Sequence, residues 1–336
     1  MSPFRKGLWQ HLLTRYPTRD DLRRMVNQTK EWGFDLLLPC VKMVDGWADY
    51  YSKVALVRPG WDFDPLLVVA EEANRIGLEV HPWSCVFVEA LDPAGSALMQ
   101  AHPEARAIKL TADGPQGVNW ACPSHEVVRD FNVAVCEEIL ENYPVSGVHL
   151  DYIRNGGFTV PEGCQCEVCR AAYNEMTGEQ HDKIGWTCAI GQSAEPYTLL
   201  SRWRAAQVSD AVRRIHQAAA ARGKVVSAAV FSNFPVCQFD QGQDWVGWAK
   251  EGIIDYLFPM TYISLPEVVK WWTESYVAMV KGKAPIWPGL CYFHDDMKVE
   301  TMTEQAQLAQ EAGAEGIIIF EYTGMNEEMG EAIKRL

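Results

Sequence analysis

The amino-acid sequence predicts one (β/α)₈ barrel that occupies residues 1–336 as a single domain. Two observations support this fold class: short apolar runs alternate with amphipathic helical segments along nearly the whole chain, and eight such runs can be counted. A third observation disfavours an open, doubly wound sheet. No glycine-rich phosphate loop follows the first run, where Gln10-His11-Leu12-Leu13-Thr14-Arg15 stands instead.

The eight predicted strands are short runs rich in apolar and β-branched residues. They cover residues 7–13, 34–41, 78–87, 145–153, 224–231, 253–262, 284–292 and 314–322. The last run contains Ile317-Ile318-Ile319-Phe320, a continuously apolar stretch that is typical of a strand buried on both faces. Eight βα units with right-handed crossovers close most simply into a barrel.

Amphipathic helices are predicted between these strands. The first begins at Thr18-Arg19-Asp20 and places Leu22, Met25 and Val26 at helical spacing. Glycines that are expected to end helices recur just before strands, at Gly33, Gly77, Gly223, Gly252 and Gly313. The longest departure from the pattern is an insertion after the fourth strand, at about residues 155–201.

Charge and hydropathy exclude several classes of partner. The formal net charge of −14 repels polyanions, so we expect no nucleic-acid partner. The chain has no apolar run near the ~18 residues that span a membrane and no N-terminal apolar core of signal-peptide length. We therefore expect a cytoplasmic protein with no membrane partner. The oligomeric state stays open, with a homo-oligomer as one option.

The end of the fourth strand carries the most informative motif, His149-Leu150-Asp151-Tyr152-Ile153-Arg154. Catalytic groups of such barrels come from the C-terminal ends of the strands. A carboxylate that closes an apolar strand is costly to desolvate unless it has a partner or a chemical role. Asp151 is therefore a candidate catalytic residue. The alternative is a structural pair of Asp151 with Arg154 or Tyr152 that holds the barrel rim.

The stretch from Gly147 to Arg154 resembles the "DG-hydrophobic-H-hydrophobic-DY-hydrophobic-R" motif of glycosyl-hydrolase-like barrel families, with Ser146 in place of the first Asp. Two further stretches agree with this resemblance. They are Gln243-Asp244-Trp245-Val246-Gly247-Trp248-Ala249-Lys250-Glu251-Gly252 and Phe258-Pro259-Met260-Thr261-Tyr262. The resemblance covers roughly residues 7–322 and implies that Asp151 is the principal catalytic carboxylate.

A second carboxyl group is needed for most glycoside hydrolysis. Many relatives carry Asp where this chain has Thr261, which leaves the second carboxylate open: either another residue supplies it or the substrate itself assists. The candidates, in order, are Glu321 at the end of the eighth strand, Asp295 or Asp296 beyond the seventh, and Glu89 beyond the third. Glu321 has a structural alternative, which is a salt bridge to Arg154 across the barrel mouth.

The leading functional hypothesis is an O-glycoside hydrolase that acts on an oligosaccharide or glycoconjugate by carboxylate acid/base chemistry. Asp151 and Glu321 are its predicted catalytic residues. The side chains expected to contact substrate lie at strand ends: His81, Trp83, His149, Tyr152, Arg154, Asn233 and Tyr262. The alternative hypothesis is a non-catalytic carbohydrate-binding barrel that keeps the cleft but lacks a competent carboxylate pair.

Three clustered cysteines, Cys164, Cys166 and Cys169, lie in the insertion after the fourth strand. Thiolates at this spacing can converge on one zinc ion, and a closed tetrahedral site needs a fourth ligand. Cys122 is the first choice for that ligand, and His181 is the second. The arrangement is similar to the four-cysteine zinc site of family-42 β-galactosidases. We expect a structural zinc and no organic cofactor; the alternative is reduced cysteines without metal.

Overall fold

A computed structural model describes residues 3–89, 91–92, 94–156, 163–184, 195–292 and 298–336. It contains eight parallel barrel strands, numbered here first to eighth along the chain. They are Arg5–Gln10, Leu36–Lys42, Glu79–Val80 continued by Trp83–Cys85, Gly147–Asp151, Val225–Phe231, Tyr256–Met260, Gly289–Cys291 and Gly316–Phe320. The first strand pairs with both the second and the eighth, since Gly7 lies opposite Leu36 and Ile318. The barrel is therefore closed, and the predicted fold is confirmed.

The third strand is divided at Pro82, which has no N–H to donate to a neighbouring strand. The sheet continues through this point by other bonds. The His81 amide donates to the Leu37 carbonyl (3.1 Å), and the His149 amide donates to the Pro82 carbonyl (2.9 Å). The third and fourth strands therefore stay paired, with Cys85 beside Asp151.

The described helices are α1 (Arg19–Glu31), α2 (Pro65–Ile76), α3 (Ala97–Ala101), α4 (Glu126–Asn142), α5 (Glu167–Thr177), α6 (Glu195–Ala220), α7 (Val236–Asp240), α8 (Trp245–Glu251), α9 (Pro266–Val280), α10 (Val299–Glu311) and α11 (Glu327–Arg335). Thr18 caps α1 as predicted, in a capping box with Asp21. Gly77 and Gly252, among the predicted helix-ending glycines, have a positive φ. Within the described segments, no helix is both long and apolar enough to cross a membrane.

Side chains that point inward fill the barrel with a compact apolar cluster. Its buried members include Trp9, Leu38, Phe258, Trp287 and Ile318. Alternate residues of the same strands point outward and pack beneath the helices in larger clusters. Because the interior is filled, it leaves no room for a ligand within the barrel, and sites in this fold lie at the C-terminal end of the strands.

The sequence did not predict an antiparallel hairpin that follows the third strand. Its strands are Arg106–Thr111 and Gly114–Ala121, and the turn uses Gly114 with φ +106°. The predicted insertion after the fourth strand contains α5, while α6 begins at Glu195, inside the predicted range. The full extent of the insertion stays a prediction, because residues 157–162 and 185–194 lie outside the described segments.

Candidate active site

Asp151 lies at the mouth of the barrel as the last residue of the fourth strand and is 7% exposed. One carboxylate oxygen, Oδ1, accepts hydrogen bonds from the Tyr152 amide (2.6 Å) and from Arg154 Nη1 (3.1 Å). The other oxygen, Oδ2, accepts none from the residues that the structure describes. The carboxylate is thus oriented through one oxygen and keeps the other available for a further partner.

The Arg154 guanidinium is held between two aromatic rings. Its Cζ atom lies 4.4 Å from the ring centroid of Tyr152 and 4.7 Å from that of Phe231. Tyr152 can turn back over Arg154 because its backbone adopts a left-handed conformation with φ +50° directly after the strand. The pair of Asp151 with Arg154, which was the structural alternative for Asp151, is therefore present, and two cation–π contacts restrain it.

Two tyrosines border Asp151. Burial raises the pKa of Tyr152 to about 12, and the negative charge of Asp151 adds to the effect. Burial also raises the pKa of the half-buried Tyr262 well above its usual value, again with a contribution from Asp151. Both phenols are therefore protonated at neutral pH, so both can donate a hydrogen bond near the Asp151 carboxylate.

His11 is a site residue that the sequence reasoning missed. It follows the first strand, and its ring stacks on Trp83 with centroids 5.5 Å apart and planes at 24°. Burial lowers its pKa, while the charges of Glu321 and Asp151 oppose that shift. A neutral imidazole therefore lies within electrostatic reach of both candidate carboxylates. Applying the strand-end rule to the first strand, as to the others, would have identified it.

Glu321 follows the eighth strand and is half-buried. Its Oε2 accepts a hydrogen bond from the His11 amide (3.3 Å), and its Oε1 accepts one from the Thr323 hydroxyl. Among described residues it forms no ion pair with Arg154, whose partner is Asp151. The alternative of a Glu321–Arg154 salt bridge is therefore not realised, and Glu321 is held by the segment after the first strand.

His81 and His149 lie inside the barrel rather than on the surface of the cleft, and they are 1% and 0% exposed. Trp9 Nε1 donates to His149 Nε2 (3.0 Å), and the Nδ1 atoms of both histidines lie 3.0 Å from Ser227 Oγ. Burial lowers the pKa of His81 to about 3 and that of His149 well below its usual value. The alternation that turns Asp151 inward also turns His149 inward, two residues deeper.

Two other predicted contact residues differ in exposure. Trp83 is almost fully buried beneath His11, with its ring edge against His149 at 6.3 Å between centroids. Asn233 is exposed on the segment between the fifth strand and α7. The mouth therefore has an aromatic floor at Trp83 and an exposed amide at Asn233.

The remaining positions considered for a second carboxylate do not face the mouth or are not described. The Thr261 hydroxyl is fully buried and donates to the Pro259 carbonyl (3.1 Å). Glu89 is fully buried in an ion pair with Lys42 and accepts a hydrogen bond from Ser96 Oγ (3.0 Å). Residues 295 and 296 lie outside the described segments. Of the carboxylate candidates that the structure describes, Glu321 follows a strand end at the mouth, whereas Glu89 is paired in the interior; the choice of Glu321 stays a prediction.

The structure brings four buried cysteines together: Cys122, Cys164, Cys166 and Cys169. All four sulfurs lie within 4.8 Å of one another, and Cys122 Sγ lies 3.6 Å from Cys169 Sγ and 3.7 Å from Cys166 Sγ. Tetrahedral zinc with Zn–S bonds of about 2.3 Å requires sulfurs about 3.8 Å apart. The donor set therefore fits a zinc ion.

His181, the second choice for the fourth ligand, is not part of this group. Its Nε2 lies 3.6 Å from Glu179, and its ring packs against Tyr173 at 5.2 Å between centroids. The choice of Cys122 as the fourth member of the cluster agrees with the structure.

The cysteine cluster adjoins the mouth through Trp120, which precedes Cys122 by two residues on the hairpin. The Trp120 ring contacts Tyr152 edge to face, with centroids 5.7 Å apart. Tyr152 is in turn the residue whose amide holds Asp151. A continuous set of contacts therefore connects the cluster with the candidate catalytic carboxylate.

The closed barrel is the fold of solved glycoside hydrolases. The glycoside hydrolase domain of PgaB (BpsB) from Bordetella bronchiseptica aligns with a TM-score of 0.74 at 14% identity, over 99% of this chain and 98% of that chain. A β-galactosidase from Marinomonas ef1 aligns with a TM-score of 0.71 at 11% identity, over 99% of this chain and 58% of that chain. At these identities the likeness concerns the fold.

The particular family follows from the sequence. Residues 7–290 match the family described as Glycosyl hydrolase-like 10, and the chain belongs to that family. The glycosyl hydrolase YngK of Bacillus subtilis (strain 168) is 23% identical over 259 residues, which cover 68% of this chain and 46% of that protein. An S-layer-related protein of Niallia circulans is 26% identical over 42% of this chain and 10% of its own length. The chain thus spans less than half of either relative. Membership of this glycosyl hydrolase-like family supports a glycosidase-type function.

Proposed function

We propose that this protein hydrolyses O-glycosidic bonds of an oligosaccharide or glycoconjugate, with Asp151 as its principal catalytic carboxylate. The observation that carries the proposal is the asymmetric environment of that carboxylate. Oδ1 accepts two hydrogen bonds, whereas Oδ2 accepts none from the described residues. An oriented carboxylate with one available oxygen suits either proton transfer to a leaving oxygen or attack on an anomeric carbon.

Glu321 is the proposed second carboxylate. It follows the eighth strand, and the amide of His11 orients its Oε2. Tyr152, Tyr262 and Arg154 would donate hydrogen bonds to sugar hydroxyls, and the exposed Asn233 would add an amide contact. Three buried residues would act beneath the substrate rather than touch it. His81 and His149 would support the strand ends, and Trp83 would support the His11 ring. His11 itself would form part of the sugar-facing surface.

One observation favours the second candidate function, a non-catalytic carbohydrate-binding barrel. Both oxygens of Glu321 already accept hydrogen bonds within the protein. A carboxylate held in this way can be a structural acceptor rather than an acid or a nucleophile. The position that carries Asp in many relatives is Thr261, whose side chain is buried away from solvent. The two functions differ in whether Asp151 has a competent partner.

The replacement Asp151→Asn separates the two functions. On a broad glycan panel we expect the unmodified protein to cleave at least one glycan, and the variant to lose roughly 10²–10⁴-fold in rate while it still binds. Asp130→Asn, on the exposed face of α4, is the matched control and should cleave normally. Unchanged turnover by D151N would remove Asp151 from its assigned role. Binding of several glycans without cleavage by the unmodified protein would favour the binding module.

We also infer that Cys122, Cys164, Cys166 and Cys169 hold a structural zinc ion. Four thiolates complete a tetrahedral shell and leave no open position for substrate, so the ion would stabilise the fold rather than take part in hydrolysis. The amide of Ile108 supports this inference, because it donates to Cys164 Sγ (3.3 Å) as expected beside a thiolate ligand.

A further inference from the structure

A small concave site lies at the C-terminal end of the barrel, between the segments that follow the first and second strands. It is a cavity of about 160 Å³ lined by Thr14, Pro17, Arg58, Pro59, Gly60 and Trp61. Cavities that take drug-sized ligands are about 300–1,000 Å³, so this one suits a single small ring. Gly60 leaves it open, because among the described residues no atom other than those of Gly60 and its chain neighbours lies within 4 Å of the place where a Cβ would stand.

The two large side chains of this cavity are held in place by two carboxylates, the buried Asp49 and the half-buried Asp45. Trp61 Nε1 donates to Asp49 Oδ1 (2.7 Å), and Arg58 Nε donates to the same oxygen (2.8 Å). The two Nη atoms of Arg58 donate to the two oxygens of Asp45 (2.8 and 3.2 Å). Asp49 is 1% exposed. The indole and the guanidinium are therefore ordered before any ligand arrives, which lowers the entropic cost of binding.

The charge of this cavity argues against an anionic ligand. Two carboxylates, Asp45 and Asp49, already pair with the single positive charge of Arg58. Within the described segments, three of the five N–H groups of Arg58 are bonded, all to these carboxylates, so two are left for an uncharged acceptor. The exposed Thr14 adds a hydroxyl that can donate or accept. The cavity thus places a half-buried indole face beside hydrogen-bond donors that can bond to uncharged oxygens. This combination suits a sugar ring, whose axial C–H groups are apolar and whose edge carries hydroxyls.

The cavity lies close to the candidate active site along the chain. Thr14 is three residues after His11, and three residues span at most about 11 Å when fully extended. The His11 amide is itself bonded to Glu321. A short oligosaccharide with one end near the carboxylates can therefore extend over the segment from His11 to Thr14 and reach Trp61.

We propose that this cavity is a carbohydrate subsite that binds an uncharged sugar ring of the glycan, away from the bond to be cleaved. The sugar would stack on the indole of Trp61. Its hydroxyls would accept hydrogen bonds from Arg58, and they would donate to or accept from the Thr14 hydroxyl. The proposal rests on the proposed function in taking a glycan as the ligand. It adds a site that contributes to affinity and to the choice of longer substrates without touching the reacting atoms.

Binding rather than hydrolysis provides the test. In the D151N protein, the indole N–H signal of Trp61 is followed by NMR during titration with glucose, galactose and N-acetylglucosamine, and with their neutral oligosaccharides of increasing length. Trp61→Phe assigns the signal. We expect the Trp61 signal to shift on saturation with at least one of these sugars. Glucuronate, a glucose ring with an added carboxylate, should bind at least severalfold more weakly than glucose.

Two variants of opposite kind check the assignment. Trp61→Ala removes the stacking surface, and Thr14→Trp fills the cavity while it leaves Trp61 and its carboxylates in place. Both variants should bind the longer oligosaccharides with an affinity lower on the order of tenfold, which corresponds to about 1.4 kcal/mol of binding free energy. Trp271→Ala is the matched control, because Trp271 is 65% exposed on α9 and should leave affinity unchanged.

The outcomes distinguish the subsite from the proposed function. If no sugar moves the Trp61 signal, or if both variants bind every oligosaccharide as the parent does, the subsite is overturned even where hydrolysis is observed. If sugars bind at Trp61 and both variants lose that binding while the unmodified protein cleaves no glycan, the subsite stands and the hydrolase proposal fails.

Discussion

Asp151 and Arg154 illustrate how a single ion pair can serve both stability and chemistry. Each side chain of the pair is about 90% buried, with 11% and 10% of its surface exposed. Breaking such a pair leaves an uncompensated buried charge, which is costly. The stacking of Arg154 on Tyr152 and Phe231 fixes the plane of the guanidinium, and lysine cannot reproduce that geometry. A structural role for the pair is therefore compatible with a catalytic role for Asp151.

The interior histidines make stability depend on pH. The pKa of His81 is about 3 in the folded protein, against 6.5 when unfolded, so the unfolded chain binds the proton more readily. Stability is therefore complete above pH 6.5 and falls as the pH drops toward 3, by up to about 1.4 kcal/mol per pH unit for this group. We expect His81→Gln to flatten this decline in denaturant unfolding curves recorded from pH 7 to 4.

A matched control for this experiment is His102→Gln, which removes a histidine whose side chain is 41% exposed, on the segment after α3. If H81Q and the unmodified protein lose stability in parallel over the same pH range, His81 is not the group responsible.

The hydrogen bonds of His149 also indicate which of its ring nitrogens carries the proton. Because Trp9 donates to His149 Nε2, the neutral His149 ring carries its proton on Nδ1 and donates it to Ser227.

At the scale of elements, the hairpin and the insertion after the fourth strand form one unit around the cysteine cluster. The amide of Gln165 donates to the Ile108 carbonyl (2.8 Å), and the amide of Cys122 donates to the Ala105 carbonyl (2.8 Å). The hairpin is also tied to the barrel, because the Ala121 amide donates to the Phe87 carbonyl (2.9 Å). Loss of the cluster should therefore loosen two elements that border the mouth.

Replacing Cys166 by Ser tests the metal at this scale. We expect purified unmodified protein to carry about one zinc ion per chain. The C166S variant should lose this zinc and melt at a lower temperature. Elemental analysis and thermal unfolding are the measurements. Cys136→Ala is the control, since Cys136 is buried in α4 outside the cluster and should keep the zinc. Metal-free unmodified protein that melts as C166S does would exclude a structural zinc.

At the scale of the whole molecule, Trp9 links the two halves of the closed barrel. It is 1% exposed, donates to His149 on the fourth strand, and packs edge to face with Phe320 on the eighth. We expect Trp9→Ala to lower the free energy of unfolding by about 3–5 kcal/mol, because it leaves a large cavity and an unpaired His149 nitrogen. Chemical denaturation measures the change.

Trp271→Ala serves as the control for this prediction too, since an exposed tryptophan on α9 should change the free energy of unfolding by no more than about 0.5 kcal/mol. Equal effects of W9A and W271A would show that the centre of the barrel tolerates a cavity. In that case the filled interior would not be what holds the strand ends in position.

Much of the architecture was predictable because it depends on local patterns. The apolar strand Ile317 to Phe320 and the Thr18 cap of α1 are readable within a few residues of sequence. The hairpin was missed because its strands are largely half-buried or exposed and contain Gly114, Pro115 and Gly117, which weaken a strand pattern. The position of His11 after the first strand was predictable from the strand-end rule, whereas its contacts with Trp83 and Glu321 join residues distant in sequence and needed the tertiary structure.

The sequence by itself determined the eight βα units, the carboxylate that ends the fourth strand and the cysteines that can gather around a metal, since strand periodicity and short ligand spacings are local properties. Only the tertiary structure decided which side chains meet: that Arg154 pairs with Asp151, that Glu321 is held by His11, and that His149 lies too deep to face the mouth. These outcomes depend on barrel closure, which brings residues far apart in the chain to the same rim and sets the depth of each strand position.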